Sequence, residues 1–286
     1  MEKSYYSELY KRNWPIIPLN LQQKMRKLNV AVAGCGSTGG AFIDGLLRLG
    51  IESYHLADNG SYELNNLNRQ MVSITDLNHN KAMTHTNRIL SVNPEARIKV
   101  WRSGISEQNL NAFLDGVDFL FDAVDVTTRQ GMEMKLALHR RAFEKKIPTG
   151  SALDLGYTQW LQSYNYHQGE ALLKGNYNAA IECQNPLKAL IMGFSPVEDL
   201  PLEITVELLR LLRSPNESAC QLACVCFALS GMATPYMLHF VSKGYLPQLK
   251  TIDLVGLYES ESEKIERQTQ TLTAREELNN ELNKIL

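Results

Sequence analysis

Few stretches restrict the architecture of this chain as sharply as VAVAGCGSTGG, residues 30–40. An apolar, β-type run breaks there into Gly34-x-Gly36-x-x-Gly39, and a helix-compatible segment, 41–49, follows. At this spacing the first glycine permits a tight reversal, the second lets the backbone approach a phosphate, and the third lets helix and strand pack closely. The amides and dipole of the helix N-terminus then face an anion. The next strand-like run, 53–57, ends at Asp58, close to the spacing at which an acidic residue accepts hydrogen bonds from a ribose hydroxyl. Together these features describe a nucleotide site, and at this point NAD, FAD, S-adenosylmethionine and ATP are all open as its ligand.

Strand-like runs recur at 28–33, 53–57, 96–101 and 119–123, with helical patterns at 80–92 and 129–145 among them. Such alternation implies parallel strands with covering helices, hence a Rossmann-like α/β fold: a doubly wound, mostly parallel sheet with helices on both faces. Past Pro148 the texture changes. Residues 157–166 alternate as a strand from a mixed, C-terminal part of the sheet would, and 167–201 is rich in turn residues, which reads as a long connection lying over a site. Residues 203–212 and 218–242 are helical, the second apolar nearly all round and therefore expected to be buried. From Thr273 the tail opens with a capping-box pattern to Glu276 and runs as an amphipathic helix.

With 286 residues the chain can bury a substantial core, as one large α/β domain or two modest ones. A formal charge of -2 gives no electrostatic argument for nucleic acid or an anionic membrane. No continuous apolar run reaches the roughly 18 residues of a membrane span, and the polar, aromatic start lacks the apolar centre of a signal peptide. A cytoplasmic protein, with no nucleic-acid or membrane partner, is the expectation. The five cysteines, Cys35, Cys183, Cys220, Cys224 and Cys226, form no Cys-x-x-Cys pair. Cys220, Cys224 and Cys226 lie among apolar residues and read as buried small hydrophobes. No zinc ligand set is evident, and no zinc is expected.

The residues after Asp58 decide among the nucleotides. Asn65, Asn66, Asn68, Arg69 and Gln70 cluster there, and Lys81 follows one short segment later. Two cations near a helix-dipole phosphate site suit a triphosphate better than a dinucleotide. Downstream, FLFDAVDV carries Asp122 and Asp125 at the C-terminal end of a strand, where ligands of open α/β sheets collect. A carboxylate there can hold Mg²⁺ bridging phosphate oxygens, so the combined site would bind MgATP.

In these residues the chain resembles the ThiF/MoeB superfamily, the adenylating fold shared by ubiquitin-activating enzymes and by activators of sulfur carriers and of some peptide antibiotics. The family motif Asp-x-Asp-x-x-Glu-x-x-Asn-Leu-Asn-Arg-Gln reads here Asp58-Asn-Gly60-Ser-Tyr-Glu63-Leu-Asn-Asn66-Leu67-Asn68-Arg69-Gln70. Lys81 and Asp122-x-x-Asp125 complete the set. The match is close over residues 10–150 and architectural from there to 245. It implies an N-terminal arm and helix at 1–27, then an adenylation domain at 28–245 and an extension at 246–286 with the amphipathic helix. Within the domain, 28–150 would be the nucleotide-binding half and 151–245 the substrate half.

Carried over by position, the resemblance implies that Gly34, Gly36 and Gly39 form the phosphate turn and that Asp58 holds the ribose. Arg69 and Lys81 would hold the phosphates, Asn66 and Gln70 support them, and Asp125 binds Mg²⁺. Arg12, before Asn13, would reach the triphosphate of a neighbouring subunit in a homodimer. The implied reaction is ATP-dependent adenylation of a carboxylate, the C-terminal one foremost, or an amide of a small protein or peptide, with release of pyrophosphate. Cys183 is the candidate nucleophile for a later thioester or persulfide step. Three departures stand out: Gly60 replaces the second aspartate, Val126 replaces the asparagine that commonly follows Asp125, and Ser37 and Thr38 replace a glycine and a small apolar residue. Gly60 keeps open a catalytically degenerate partner subunit, and the glycine turn alone keeps open an NAD-dependent oxidoreductase.

Overall fold

The computed structural model describes residues 4–248 and 250–285. Seven strands, β1 (Asn29–Ala33), β2 (Ser53–Ala57), β3 (Arg97–Trp101), β4 (Phe119–Asp122), β5 (Thr149–Leu155), β6 (Thr158–Tyr164) and β7 (Lys250–Asp253), form one sheet in the order β3-β2-β1-β4-β5-β6-β7. The first five run parallel; β6 and β7 are antiparallel additions. The chain moves outward from β1 to β3 and returns on the other side of β1 as β4. The strand order therefore reverses between β1 and β4, and ligands of open α/β sheets bind outside the carboxyl ends of strands at such a point.

Alternation along the strands divides the core between the two faces of the sheet. Val30, Val32, Phe119 and Phe121 point to one face, where the helices Ser37–Leu49 and Ala223–Lys243 lie. Phe42 stacks on Phe121 there with ring centroids 3.8 Å apart. Ala31, Ala33, Leu120, Trp160 and Tyr164 point to the other, beneath the helices Arg129–Glu144, Pro186–Phe194 and Leu202–Arg213. The fold is thus the mixed, mostly parallel α/β sheet with helices on both faces that the sequence implies.

Several local expectations are corrected. β5 and β7 carry no clear strand signature, β5 because TGSALDL places Gly150, Ser151 and Asp154 inside the strand. The stretch 167–201 is more than a connection, because it contains the helices Tyr177–Ile181 and Pro186–Phe194, the second burying Leu190, Ile191 and Phe194 in the core. The apolar helix starts at Ala223 and buries only one face. Its 21 residues are long and apolar enough to match a membrane span, yet Val225, Leu229, Ala233 and Met237 pack into the core while Phe227 is 55% exposed. Cys226 is buried beside them, but Cys224 is half-buried and Cys220 exposed. The last helix starts at Glu261, capped by Ser260 and Glu263; Thr273 stands inside it and bonds back to the Thr269 carbonyl. Ala274, Leu278 and Leu282, four residues apart, form its buried face.

At the end of β4, Asp122 has no exposed surface. Lys135 and His139, one helical turn apart on Arg129–Glu144, meet it together. Lys135 Nζ donates to the carboxylate and to Ser151 Oγ at 3.1 Å, and His139 Nε2 lies 2.9 Å from Asp122 Oδ2. Burial pushes the carboxyl up, but the Lys135 ammonium and His139 outweigh it and hold the group down at about 2. A folded value below the unfolded one of about 4 contributes stability that is complete above that pH. Acid unfolding should therefore remove on the order of 2 kcal/mol as pH falls from about 4 to about 2. Asp122→Asn, which leaves the buried Lys135 charge unpaired, should cost about 3–5 kcal/mol at neutral pH in a urea titration and flatten that acid limb.

Candidate functional site

The turn after β1 has the glycine geometry its spacing implies. Gly34 has φ +88°, and a Cβ there would lie 2.2 Å from the Ala123 carbonyl oxygen in the loop after β4. A Cβ on Gly39 would lie 1.8 Å from the Gly34 oxygen, so the first turn of the helix sits directly on the strand-end loop. Gly36 is the N-cap of Ser37–Leu49 and supplies no side-chain bond to the first-turn amides. Those N–H groups and the positive helix end therefore stand ready for an anion.

Gly36 is also the floor of a cradle. The atoms nearest to a Cβ built on it are Lys81 Nζ at 3.8 Å and Gln70 Oε1 at 4.0 Å. Gln70 is 9% exposed and its Oε1 has no hydrogen-bond partner, a cost that a buried polar atom normally avoids. Half a turn of the amide presents Nε2 as a donor in the same place. Lys81 is the first residue of the helix Lys81–Val92, where a cation opposes the helix dipole. Asn80, which the sequence reading passed over, fixes it there: its Oδ1 caps Met83 N at 3.1 Å, and its Nδ2 donates to the carbonyls of Asp58 and Arg102 at 2.9 and 3.1 Å. An asparagine immediately before a periodic helix was the available signal.

Asp58 is tied to the turn through its carboxylate, which accepts from Cys35 N at 2.6 Å and Gly60 N at 2.7 Å. Each oxygen retains a lone pair for a further donor. A Cβ at Gly60 would approach Asp58 Oδ1 tightly, to 3.1 Å, and meet the Lys81 stem at an ordinary contact distance of 3.6 Å, so a side chain here would press chiefly on Asp58. Arg69 is half-buried; Nε donates to Gln221 Oε1 at 2.7 Å, and Nη1 to the Asn65 carbonyl and Asn68 Oδ1 at 3.0 and 2.8 Å. Gln221 is a second residue missed from sequence. It reaches Arg69 because the segment before the helix Ala223–Lys243 pairs with Gly156 at the β5–β6 turn.

The remaining candidates divide. Asn66 uses its carboxamide within its own turn, bonded to Glu63 N and Asn65 Oδ1. Asp125 is exposed two residues beyond Ala123, its Oδ1 accepting from Thr127 N at 2.9 Å. Asp122, by contrast, is enclosed by Lys135 and His139 and offers no open oxygen for Mg²⁺. Arg12 is exposed on the turn Lys11–Asn13 and makes no hydrogen bond or ion pair among the described residues. Cys183 lies apart from the cradle, beside a groove of about 370 Å³ lined also by Arg129, Leu136, Tyr177 and Pro186. Its thiol donates to the Ala179 carbonyl at 3.1 Å, and burial pushes its pKa up, the opposite of what a thiolate nucleophile needs.

Among the described residues no three His, Cys, Asp or Glu side chains converge to hold a metal ion. Asp125 as a single exposed carboxylate suits Mg²⁺, which keeps several waters and takes one or two carboxylates together with phosphate oxygens.

Comparison with known proteins places the fold and the family. An uncharacterised protein of Mycobacterium tuberculosis is 30% identical over 166 residues, 57% of this chain and 22% of that protein. The sulfur carrier protein ThiS adenylyltransferase of Escherichia coli is 25% identical over 155 residues, 54% of this chain and 60% of the relative. The chain thus spans between about a fifth and three fifths of the curated relatives it matches. Among solved structures, E. coli MccB with AMPCPP and MccA superposes with a TM-score of 0.61 at 17% identity, covering 88% of this chain and 73% of that one. The E. coli tRNA N6-threonylcarbamoyladenosine dehydratase TcdA in complex with ATP gives 0.59 at 18% identity, covering 85% and 98%. At such identities the likeness is one of fold. The ThiF family model matches residues 8–275, and the chain is a member of the ThiF family.

Proposed function

We propose that this chain is an ATP-dependent adenylating enzyme that activates a carboxylate, the C-terminal one foremost, or an amide of a small protein or peptide and releases pyrophosphate. The observation that carries the reading is the cradle at Gly36, where a lysine ammonium and a buried, unpartnered glutamine amide meet over an uncapped helix N-terminus. Family membership, and the nucleotides held by MccB and TcdA, support it.

In this reading residues 28–150 bind the nucleotide and 151–245 the substrate. Asp58, held open by two backbone amides, receives the ribose hydroxyls. The first-turn amides, Lys81 and Arg69 take the phosphates, with Gln70 completing the cradle. Asp125 holds Mg²⁺, which would neutralise phosphate charge. As the substrate oxygen attacks the α-phosphorus, charge moves onto the departing pyrophosphate, and fixed cations on that side lower the barrier without reorganising. From a carboxylate the product is an acyl adenylate and from an amide an O-adenylated imidate, and the raised pKa of Cys183 favours transfer to an external nucleophile over a protein thioester. Arg12 acts from a second copy, across a homodimer that covers the exposed Phe227, Trp14 and Ile16, which are 55%, 57% and 87% exposed.

Calorimetric titration with MgATP tests the site without a known substrate. Lys81→Ala should weaken binding by about one to two orders of magnitude, the loss of about 1.5–3 kcal/mol for a charge-assisted hydrogen bond. Arg69→Ala should weaken it comparably, while NAD should produce no heat. Absence of MgATP binding to the folded wild type would overturn the reading in favour of a non-catalytic partner, and binding of NAD in place of ATP would return the turn to a dehydrogenase. For the dimer, sedimentation should show two copies that Phe227→Asp separates, with ATP affinity falling as it does when Arg12 is replaced by alanine. A wild-type monomer that binds ATP tightly would remove Arg12 from the site.

A further inference from the structure

Asp154 is a carboxylate under the phosphate turn that the adenylation reading leaves without a task. It is 3% exposed near the C-terminal end of β5 and points toward the helix Ser37–Leu49, while its neighbours Leu153 and Leu155 point into the opposite core. Thr38 Oγ1 donates to Oδ1 at 2.5 Å and Ser37 Oγ to Oδ2 at 2.8 Å. These two hydroxyls belong to the first turn of the helix, at the two positions where the resembled motif has a glycine and a small apolar residue. The rest of its surroundings come from three other elements. From Ala223–Lys243, Cys226 Sγ lies 3.5 Å from Oδ2, and burial together with Asp154 holds that thiol up at about 12, so it is neutral. From the segment after β2, Arg69 contributes its positive charge. From β6, Gln159 stands directly opposite Asp154 in the strand register, fully buried, its Nε2 donating to the Leu153 carbonyl and its Oε1 without a partner.

Two states of this cluster are chemically complete. With Asp154 ionised, a carboxylate bonded to the first-turn hydroxyls complements the positive end of the helix. With Asp154 protonated, the residue opposite it in the strand register is Gln159, on the same face of the sheet, whose unpartnered Oε1 is an acceptor a carboxyl O–H can use. A triphosphate seated on the same turn brings several negative charges close to the carboxylate and disfavours its ionised form. Burial already pushes the carboxyl upward against the opposing pull of Thr38, Ser37, Cys226 and Arg69.

We infer that nucleotide binding at the glycine-rich turn is coupled to protonation of Asp154, a positioning residue that holds Ser37 and Thr38 and passes from an ionised to a neutral state as the phosphates arrive. The proton comes from solvent and resides on the carboxyl facing Gln159. This rests on the reading of the turn as an ATP site. Its consequence is that ATP affinity falls as pH rises between the carboxyl's free and bound values, with a limiting slope of about one proton.

The test is calorimetric titration of MgATP into the full chain across the neutral range, in pairs of buffers of different ionisation enthalpy. Proton uptake by the wild type should exceed that of Asp154→Asn, and the variant should keep binding with only the ligand's own pH dependence. Equal uptake in both proteins, with binding intact, would overturn the coupling and leave the ATP site standing. Absence of binding by both folded proteins would overturn the ATP site and the coupling with it. Thr38→Val serves if the asparagine variant does not fold. Losing a donor to the ionised carboxylate should move the uptake to higher pH, and an unchanged profile would count against the inference.

Discussion

The contact on which this structure depends is the meeting of Gly39 with the Gly34 carbonyl, with Ala123 against both. A side chain at Gly39 would penetrate that carbonyl, and one at Gly34 would penetrate the Ala123 backbone. Because the two glycines let three pieces of chain approach without intervening atoms, the N-terminus of Ser37–Leu49, the end of β1 and the loop after β4 converge. The strand order reverses at the same place. The helix amides thus open into the crevice between β1 and β4, and Asp58, Lys81 and Arg69 are recruited around them by loops that leave β2. A different packing of this turn would disperse the cradle even if every side chain were retained.

Fixing a site at strand ends requires polar groups to be buried there, and the two faces of the sheet handle this differently. On the Trp160 face, Asp122 is neutralised by Lys135 and His139, which closes the carboxylate off and binds the helix Arg129–Glu144 to β4. On the Phe42 face, Asp154 receives, among the described residues, hydroxyl and thiol groups at close range, with Arg69 as the charge that assists it. The first arrangement favours a permanently ionised group. The second leaves protonation open, because hydroxyls can serve either a charged or a neutral partner.

The sequence disclosed the parts whose pattern is local. Strands β1 to β4 alternate with amphipathic helices, and the glycine spacing, Asp58, Arg69 and Lys81 are visible as short motifs, so the β1 side of the sheet and the residues that converge on its glycine turn could be read directly. β5 could not, because a strand whose inward positions include Ser151 and Asp154 has polar side chains where the pattern expects apolar ones, and their partners lie far along the chain. Gln221 was hidden for the same reason: its contact with Arg69 spans 152 residues and depends on the pairing of Gly156. The apolar helix misled in the opposite direction. Composition suggested burial on all sides, yet among the described residues the neighbours cover the face of Val225, Leu229 and Ala233 and leave Phe227 exposed.

The departure at Gly60 looks different once Asp58 and Lys81 are seen beside it. A second aspartate would have placed another carboxylate within about the range where like charges raise each other's pKa. With glycine here the backbone amide of residue 60 donates to Asp58 and the Lys81 stem lies across the glycine, with Lys81 N bonded to the Gly60 carbonyl at 2.9 Å. Asp58 is therefore held by backbone, and Lys81 has one fewer anion competing for its ammonium than it would with an aspartate at position 60. What the chain gives up in acidic side chains on this side it carries at Asp154 on the other, bonded to the very residues, Ser37 and Thr38, at which its turn departs from the family.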